Sequence, residues 1–586
     1  MDGLTTVFDY IKQEENNFKT VRIPLTRSKS WNMSEHIERC TNVANGWFHT
    51  GANDGLRPYD DIVTPIVNVA FRSEGFDVKD IVPYVNDIHQ NYKSFIIKKR
   101  LPQWARKYEL DTLIDDIVES SVIYDLVLVK NVNNVRPECV DLKTIAFCDQ
   151  SDVMSGPICL RHEYTISDLV DFKGKWDDDA IDRAIFLSKA ETKVPTAGDQ
   201  TAKTPSKYIE VYELRGNLPE NWLVEGGDAY TYTPQMHMVC YYTDENGKKN
   251  GITLYAGKDK KLSDNFKALK IDRVRSRGRA CGRSIVETLF EPQVWNNYSG
   301  IKIKQLLDAA VTVFQTDSEE FGGQKITDLK LNTVLKHETG KPITKLDGNI
   351  LNLPAFTNHQ AKMKDDARIL GSASEPQLGV QPTSGTPFAL QSLVVQTGQG
   401  MHEYRQGKIS TFFADVLFRD WILKYLITDL DTSDGFSEEL SLEEMNEVVG
   451  AIATNRANQK IKNMVLDGHN FQEGEQEQIL ESEKRAFMDS GKRQFFSELK
   501  GQFKSIPVDV FVTIKGKQKD LPALADKLTN LLREASRNPQ GASMFAKQYN
   551  ELLEASGFSP VDFSNMTAQQ PQPEQPLQAL PTLAVA

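Results

Sequence analysis

The chain has 586 residues, 40% hydrophobic and 26% charged, with a formal net charge of -12. That length calls for several structural units, and the balance of apolar and charged residues excludes disorder throughout. The acidic balance argues against a protein that grips nucleic acid by broad neutralisation of phosphates. Six cysteines are spread over the sequence with no close pair, which fits a reducing compartment better than a disulfide scaffold. Met1 to Val7 leads straight into Lys12-Gln13-Glu14-Glu15, so no secretory signal is expected. No apolar run approaches the roughly 18 residues of a membrane span, and synthesis in the cytoplasm is the expectation.

Residues 60–130 read as largely helical. From Asp80 to Lys99, Ile81, Val85, Ile88, Tyr92, Phe95 and Ile96 recur at steps near three and four and predict one apolar stripe. Leu110, Leu113, Ile114 and Ile117 predict a second. Val122 to Val129 is apolar with a single break at Asp125 and rich in β-branched residues, and reads as a buried strand. Further strands are expected at 140–147, 158–164, 208–214, 236–242 and 252–255, with a helix capped by Ser167 and an exposed loop over 190–206. An α+β unit therefore occupies about the first 280 residues.

Gly282-Arg283-Ser284-Ile285-Val286-Glu287 opens a helix with a capping box, in which the Ser284 and Glu287 side chains each receive the other's backbone amide. Pro292 is expected to interrupt or bend its start. From Val294 the helix is apolar on more than one side, which requires several packing neighbours, copies of itself among them. A small unit with strands at 330–335 and 350–353 follows, then a helix from Phe356 to Leu370. Gly371 to Gly385 holds four Ser/Thr, three Gly, two Pro and one charge, Glu375, and reads as a loop. A long amphipathic helix begins near Phe388 and ends in Ile409, Phe412, Phe413, Val416, Leu417, Trp421 and Leu423 to Ile427. Charged helices fill 438–500, a strand alternates over 506–514, helices return at 521–532 and 544–553, and the chain turns Gln/Pro-rich from Gln569.

Chemistry-bearing motifs are scarce. Gly251 to Gly257-Lys258 has one residue too many for a phosphate loop, and Asp259 stands where a magnesium-binding hydroxyl belongs. Cys139, Cys148, Cys159 and His162 offer four zinc ligands without a Cys-x-x-Cys pair, and read as buried structural groups. His337-Glu338 lacks a second histidine. Asp115-Asp116 and Asp365-Asp366 point about 100° apart on a helix and read as solvated faces. No catalytic residue, metal site or cofactor is expected.

The order of parts resembles the portal, or head-to-tail connector, proteins of tailed double-stranded DNA phages, most closely the short-tailed kind. The segments that carry the resemblance are Leu113 to Val129 with Val140 to Asp149, Tyr208 to Pro219, Gly282 to Glu287, and the succession of helix, small α/β insert, helix, polar loop and long helix from 294 to 427. Together they span most of residues 60–430. The resemblance implies a helix-rich α+β ring subunit: wing 1–284, descending stem helix 285–316, clip 317–355, ascending stem helix 356–370, tunnel loop and inner helix 371–430, helical crown 431–568 and a disordered tail 569–586. It implies a homo-oligomeric, dodecameric ring at one capsid vertex of the virion, with the major capsid protein and scaffold around it. The packaging motor (the terminase large subunit) and then adaptor or tail proteins would dock on it, and duplex DNA would pass through without sequence readout. Gln377, Gln381, Thr383, Ser384 and Thr386 fall in the tunnel loop; Lys302, Lys304, Lys362, Lys364 and Arg368 are the stem cations that would face DNA or pair with acidic groups. Another virion assembly protein, an adaptor or scaffold, is the alternative, and a DNA-processing enzyme a third.

Overall fold

The computed structural model describes residues 6–47, 59–85, 91–132, 136–187, 208–224, 227–243, 249–273, 277–309, 314–316, 334–336, 339, 353–378, 388–432, 442–468, 474–489 and 510–514. Among the described residues helix and strand stand at 59% and 19%, which makes this a helix-rich α+β protein.

Helix α1 (Val7–Thr20) starts where the Thr6 hydroxyl accepts from the Asp9 amide, and α2 (Met33–Ala44) where Asn32 does the same for Glu35. A short hairpin, β1 (Ile23–Pro24) and β2 (Ser30–Trp31), joins them. Helix α3 (Val63–Glu74) is capped by Asp61, which accepts from the amides of Val63 and Thr64 at 3.0 Å each. Strand β3 (Ile81–Val85) and helix α4 (Asn91–Lys107) follow. The single stripe expected over 80–99 therefore divides. Pro83 has no amide to donate to a helix, and a strand in a two-stranded sheet tolerates it. Its partner is β14 (Val510–Ile514), antiparallel with Ile81 opposite Ile514.

Helix α5 (Leu110–Tyr124) is the centre of the molecule, with Leu110, Leu113, Ile114, Ile117 and Val118 all buried. It takes in Val122 to Tyr124, which the sequence assigned to a strand. A helix buried all round shows the same unbroken apolar run as a buried strand, so periodicity cannot separate them. Asp125, at φ +52°, turns the chain out of the helix into β4 (Val127–Lys130). Strand β5 (Glu138–Cys139) pairs with β4, and β6 (Ile145–Phe147), β7 (Ile158–Thr165), β8 (Tyr208–Pro219), β9 (Tyr232–Thr243) and β10 (Lys249–Lys258) form a five-stranded antiparallel sheet in the order β10-β9-β8-β7-β6. Alternation divides its two faces. Tyr212, Leu214 and Val239 point into the main core. Ile209, Val211, Met238 and Cys240 cover a smaller core under α6 (Ile166–Asp171) and α7 (Asp178–Leu187). The cap of α6 is Thr165 rather than Ser167.

After α8 (Leu262–Asn265), strand β11 (Phe266–Leu269) completes a three-stranded sheet against β4. Helix α9 (Ile285–Ala309) then runs through Pro292 without interruption. Strands β12 (Phe314–Thr316) and β13 (Val334–Lys336) pair in parallel, and α10 (Leu353–Leu370) begins at the residue where a strand was expected to end. Helix α11 (Phe388–Thr411) continues into a π-helical segment (Phe412–Ile422) and then α12 (Leu423–Thr432). A charged hairpin of α13 (Leu442–Leu466) and α14 (Glu475–Asp489) is held in part by Lys460 and Glu483, 2.7 Å apart.

Candidate functional site: a helical hairpin, a long rod and the ionic cluster at its base

Helices α9 and α10 lie antiparallel. Ser299 Oγ meets His359 Nδ1 at 2.9 Å, and eleven residues earlier Thr288 shares a cleft with Leu370. One strap holds both helices. The Asp60 carbonyl accepts from Gln293 (2.8 Å) and Asn296 (3.0 Å) of α9, and its carboxylate accepts from Gln360 (3.1 Å) and Lys364 (2.7 Å) of α10. Burial by itself raises the Asp60 carboxyl, but Lys364 and the hydrogen bonds hold it below its usual range.

This geometry sorts the cations expected to face DNA or to pair with acidic groups. Lys364 is engaged by Asp60, and Arg368 by Asp365 (3.3 Å) and Glu375 (2.8 Å), all within the chain. The Lys302 ammonium lies 5.5 Å from the Tyr298 ring, Lys304 is half-buried on the same helix, and Lys362 is exposed. Of the loop residues, Gln377 closes a turn by accepting from the Ser374 amide (2.8 Å) and hydroxyl (2.9 Å). Gln381, Thr383, Ser384 and Thr386 lie outside the described residues.

The helical rod from Phe388 to Thr432 spans roughly 65 Å at 1.5 Å per residue. In its π segment the Leu423 amide bonds to the Phe418 carbonyl five residues back. The widened turns bring Phe412, Phe413, Leu417, Phe418, Trp421 and Ile422 all into the core.

What fixes the rod to the body is a buried ionic cluster that no sequence pattern announced. Arg405 donates from Nε to both oxygens of Glu74 (2.9 and 3.0 Å), from Nη1 to Asp125 (2.9 Å), and from Nη2 to the Ser121 carbonyl (2.8 Å) and hydroxyl (3.0 Å). His402 Nδ1 lies 3.0 Å from Glu74, while its Nε2 is buried with no partner. Gln406 donates to the Gly75 carbonyl at 3.0 Å. The second Asp125 oxygen accepts from the Asp272 amide (2.8 Å), and the Asp125 carbonyl from the Gly282 amide (3.2 Å). A side chain on Gly282 would put Cβ 1.6 Å from the Asp125 carboxylate, so only glycine lets this loop close on it. The cluster thus joins the ends of α3 and α5, the entry to α9, and the rod. One guanidinium faces two carboxylates, and burial lifts the Asp125 carboxyl to about 6 although Arg405 draws it the other way.

The capping box at α9 forms by half. Ser284 accepts the Glu287 amide at 2.9 Å, but the Glu287 carboxylate turns to Arg279, 2.7 and 2.9 Å away. A second buried cluster lies in the large sheet, where Glu213 meets Lys130 (2.5 Å), His162 (2.6 Å) and Arg215 (2.6 Å). Burial by itself raises Glu213, and these three partners hold it far below the usual carboxylate range. His162 is therefore engaged by Glu213. It is not gathered with Cys139, Cys148 and Cys159, and among the described residues no group of three or more His, Cys, Asp or Glu is placed to hold a metal ion. Burial pushes the thiols of Cys40 and Cys240 up to about 12. Gly251 to Lys258 is part of strand β10. No helix among the described residues is long and apolar enough to cross a membrane.

A scan against models of known protein families returns no match, and a search of curated proteins returns none.

Proposed function

We propose that this chain is a portal protein, a subunit of a homo-oligomeric ring set at one capsid vertex of a tailed double-stranded DNA phage. The observation that carries the reading is one arrangement. An antiparallel hairpin interrupted by a small strand pair is followed by a single long rod, and that rod is locked into an α+β body by Arg405. A ring of such subunits would set hairpins and rods side by side around a channel. Fixed rods would keep that channel open while duplex DNA moves through it. The net charge of -12 suits a conduit, because each neutralised phosphate adds affinity and drag. In this reading the motor that packages DNA docks on the insert between α9 and α10, adaptor and tail proteins follow it there, and nucleotide chemistry belongs to the motor.

The test is negative-stain electron microscopy of the purified protein together with mass determination. Rings of about a dozen subunits around an opening wide enough for duplex DNA are the expected result. A compact particle with no channel would sink the reading in favour of an enzyme or another assembly protein. Hydrolysis of nucleotide or cleavage of DNA by pure protein would do the same.

A further inference from the structure

The lock on the rod is out of charge balance. Glu74 at the end of α3, Asp125 at the end of α5, and His402 and Arg405 of α11 are its buried ionisable members, none more than 4% exposed. Two carboxylates there share one guanidinium. The donors are shared unequally as well. Glu74 takes Arg405 Nε on both oxygens and His402 Nδ1 on one, whereas each Asp125 oxygen takes a single donor, Arg405 Nη1 on one and the Asp272 amide on the other. An ionised carboxylate only accepts, so His402 Nδ1 is the donor to Glu74, and Nε2 is left buried with no partner.

An unmatched buried charge is costly, and a closed cluster with one anion in excess lowers that cost by binding a proton. Asp125, with fewer donors, is the seat. Burial lifts its carboxyl to about 6 against the pull of Arg405. The charged groups around it are Arg405 and His402 of the rod, Glu74 of α3 across the guanidinium, and Asp272 and Lys270 in the stretch after β11. Helix α5 itself adds the Ser121 hydroxyl, bonded to Arg405, and the entry to α9 adds the Gly282 amide.

The rod around the lock has two holds and a weak turn between them. Beyond the cluster Ile409, Phe412, Phe413, Leu417 and Phe418 are buried in the core, a hold that takes up no proton. Between the two holds lies Gly407, with open space where a side chain would be and no positive φ to require glycine, so it weakens the helix at that turn. Beside the cluster runs a hollow of about 860 Å³, lined by Met401, Tyr404, Arg405 and Lys408 on the rod and by Lys270 and Asp272 opposite. Tyr404 is 58% exposed, so the hollow opens to solvent, and water in it can solvate the guanidinium once the turn moves.

We propose that residues 402–406 form a proton-operated latch: with a proton on Asp125 the rod is held to α3 and α5, and loss of that proton lets the turn before Gly407 part from them. The latched state binds one proton more than the released state. Its hold is therefore fully present below the ordinary carboxylate range and weakens as pH rises through about 6. The latch belongs to a single subunit and stands or falls apart from the ring reading.

Gln406→Cys supplies the reporter, because Gln406 is buried inside the lock, where it donates to the Gly75 carbonyl. Its rate of labelling by a maleimide is divided by the rate in urea at the same pH, which removes the thiol's own titration. That ratio is expected to rise about tenfold from pH 5 to pH 7.5. The reporter is also expected to react at least tenfold faster than Cys159 and Cys281, which are fully buried and exposed only by unfolding of the core. Asp125→Asn and Glu74→Gln, each placed in the reporter chain, should flatten the rise to less than twofold. The first has no proton to lose, and the second leaves one carboxylate for one guanidinium. Thermal unfolding at both pH values checks that each chain is folded, and where neither variant folds the profile of the reporter chain decides. A flat profile, a rise toward acid, labelling no faster than that of Cys159 and Cys281, or a full rise surviving in either folded variant overturns the latch.

Discussion

Arg405 serves two buried carboxylates at once, and that makes it the residue on which the position of the rod depends. Arg405→Met should cost about 3–5 kcal/mol in urea unfolding, because it strands Glu74 and Asp125 without a counter-charge. The loss should be smaller at pH 5 than at pH 7, since the stranded Asp125 carboxyl can then take a proton. Arg405→Lys should recover only part of it, because one ammonium cannot reproduce the guanidinium fork. Gly282→Ala should destabilise by about 2 kcal/mol or more, given the 1.6 Å approach to Asp125. The pH dependence has a definite sign. Asp125 has its folded value raised to about 6 from 3.8, so the stability it contributes is fully present below the unfolded value and lost as pH rises through about 6. Glu213 works the other way: its value is depressed, so its contribution is present above the unfolded value and lost as pH falls through the depressed one. Asp125→Asn removes the first effect and keeps the second. The stability difference between wild type and Asp125→Asn should therefore favour wild type more at pH 4 than at pH 7, by about 3 kcal/mol at most. A difference that grows toward pH 7 would mean that Arg405 keeps Asp125 ionised.

At the scale of elements, the rod is fixed over its C-terminal half. Residues 402–406 are locked by the ionic cluster and 412–422 are packed in the core, whereas Gly400 and Gly407 have open space where a side chain would be. Neither glycine has a positive φ, so neither is demanded by a turn or a close approach. Gly400→Ala and Gly407→Ala should each stabilise the fold by about 0.5–1 kcal/mol through helix propensity, read as a rise in Tm. An unchanged or lower Tm would show that those surfaces are already covered. The π segment has a packing reason. A regular α-helix through Phe412 to Ile422 could not turn all seven of its buried residues toward one core, and widened turns change the angle between successive side chains.

For the whole molecule, net charge makes a prediction. With a net charge of -12, the proposed ring should hold duplex DNA only weakly, with a Kd no tighter than roughly micromolar at physiological salt, falling away further as salt rises. Fluorescence anisotropy with a short duplex measures this, and tight binding of open duplex would oppose the conduit reading.

The amino-acid sequence by itself determined the class of fold, the order of most elements, the strands of the large sheet and the two helices on either side of residues 310–352. Those features rest on local periodicity, turn residues and caps, which neighbours in sequence impose on one another. The limits of that reading fell where local signals are degenerate or silent. Val122 to Tyr124 looks alike as buried strand and buried helix, and the partner of Ile81 to Val85 waits at Val510 to Ile514. Only the tertiary structure decided that Glu74, Asp125, His402 and Arg405 meet, and that Lys364 is engaged by Asp60. No spacing rule connects residues about three hundred positions apart. Their association is set by the burial of the helices that carry them, and a charge taken out of water is tolerated only where that burial also delivers its partner.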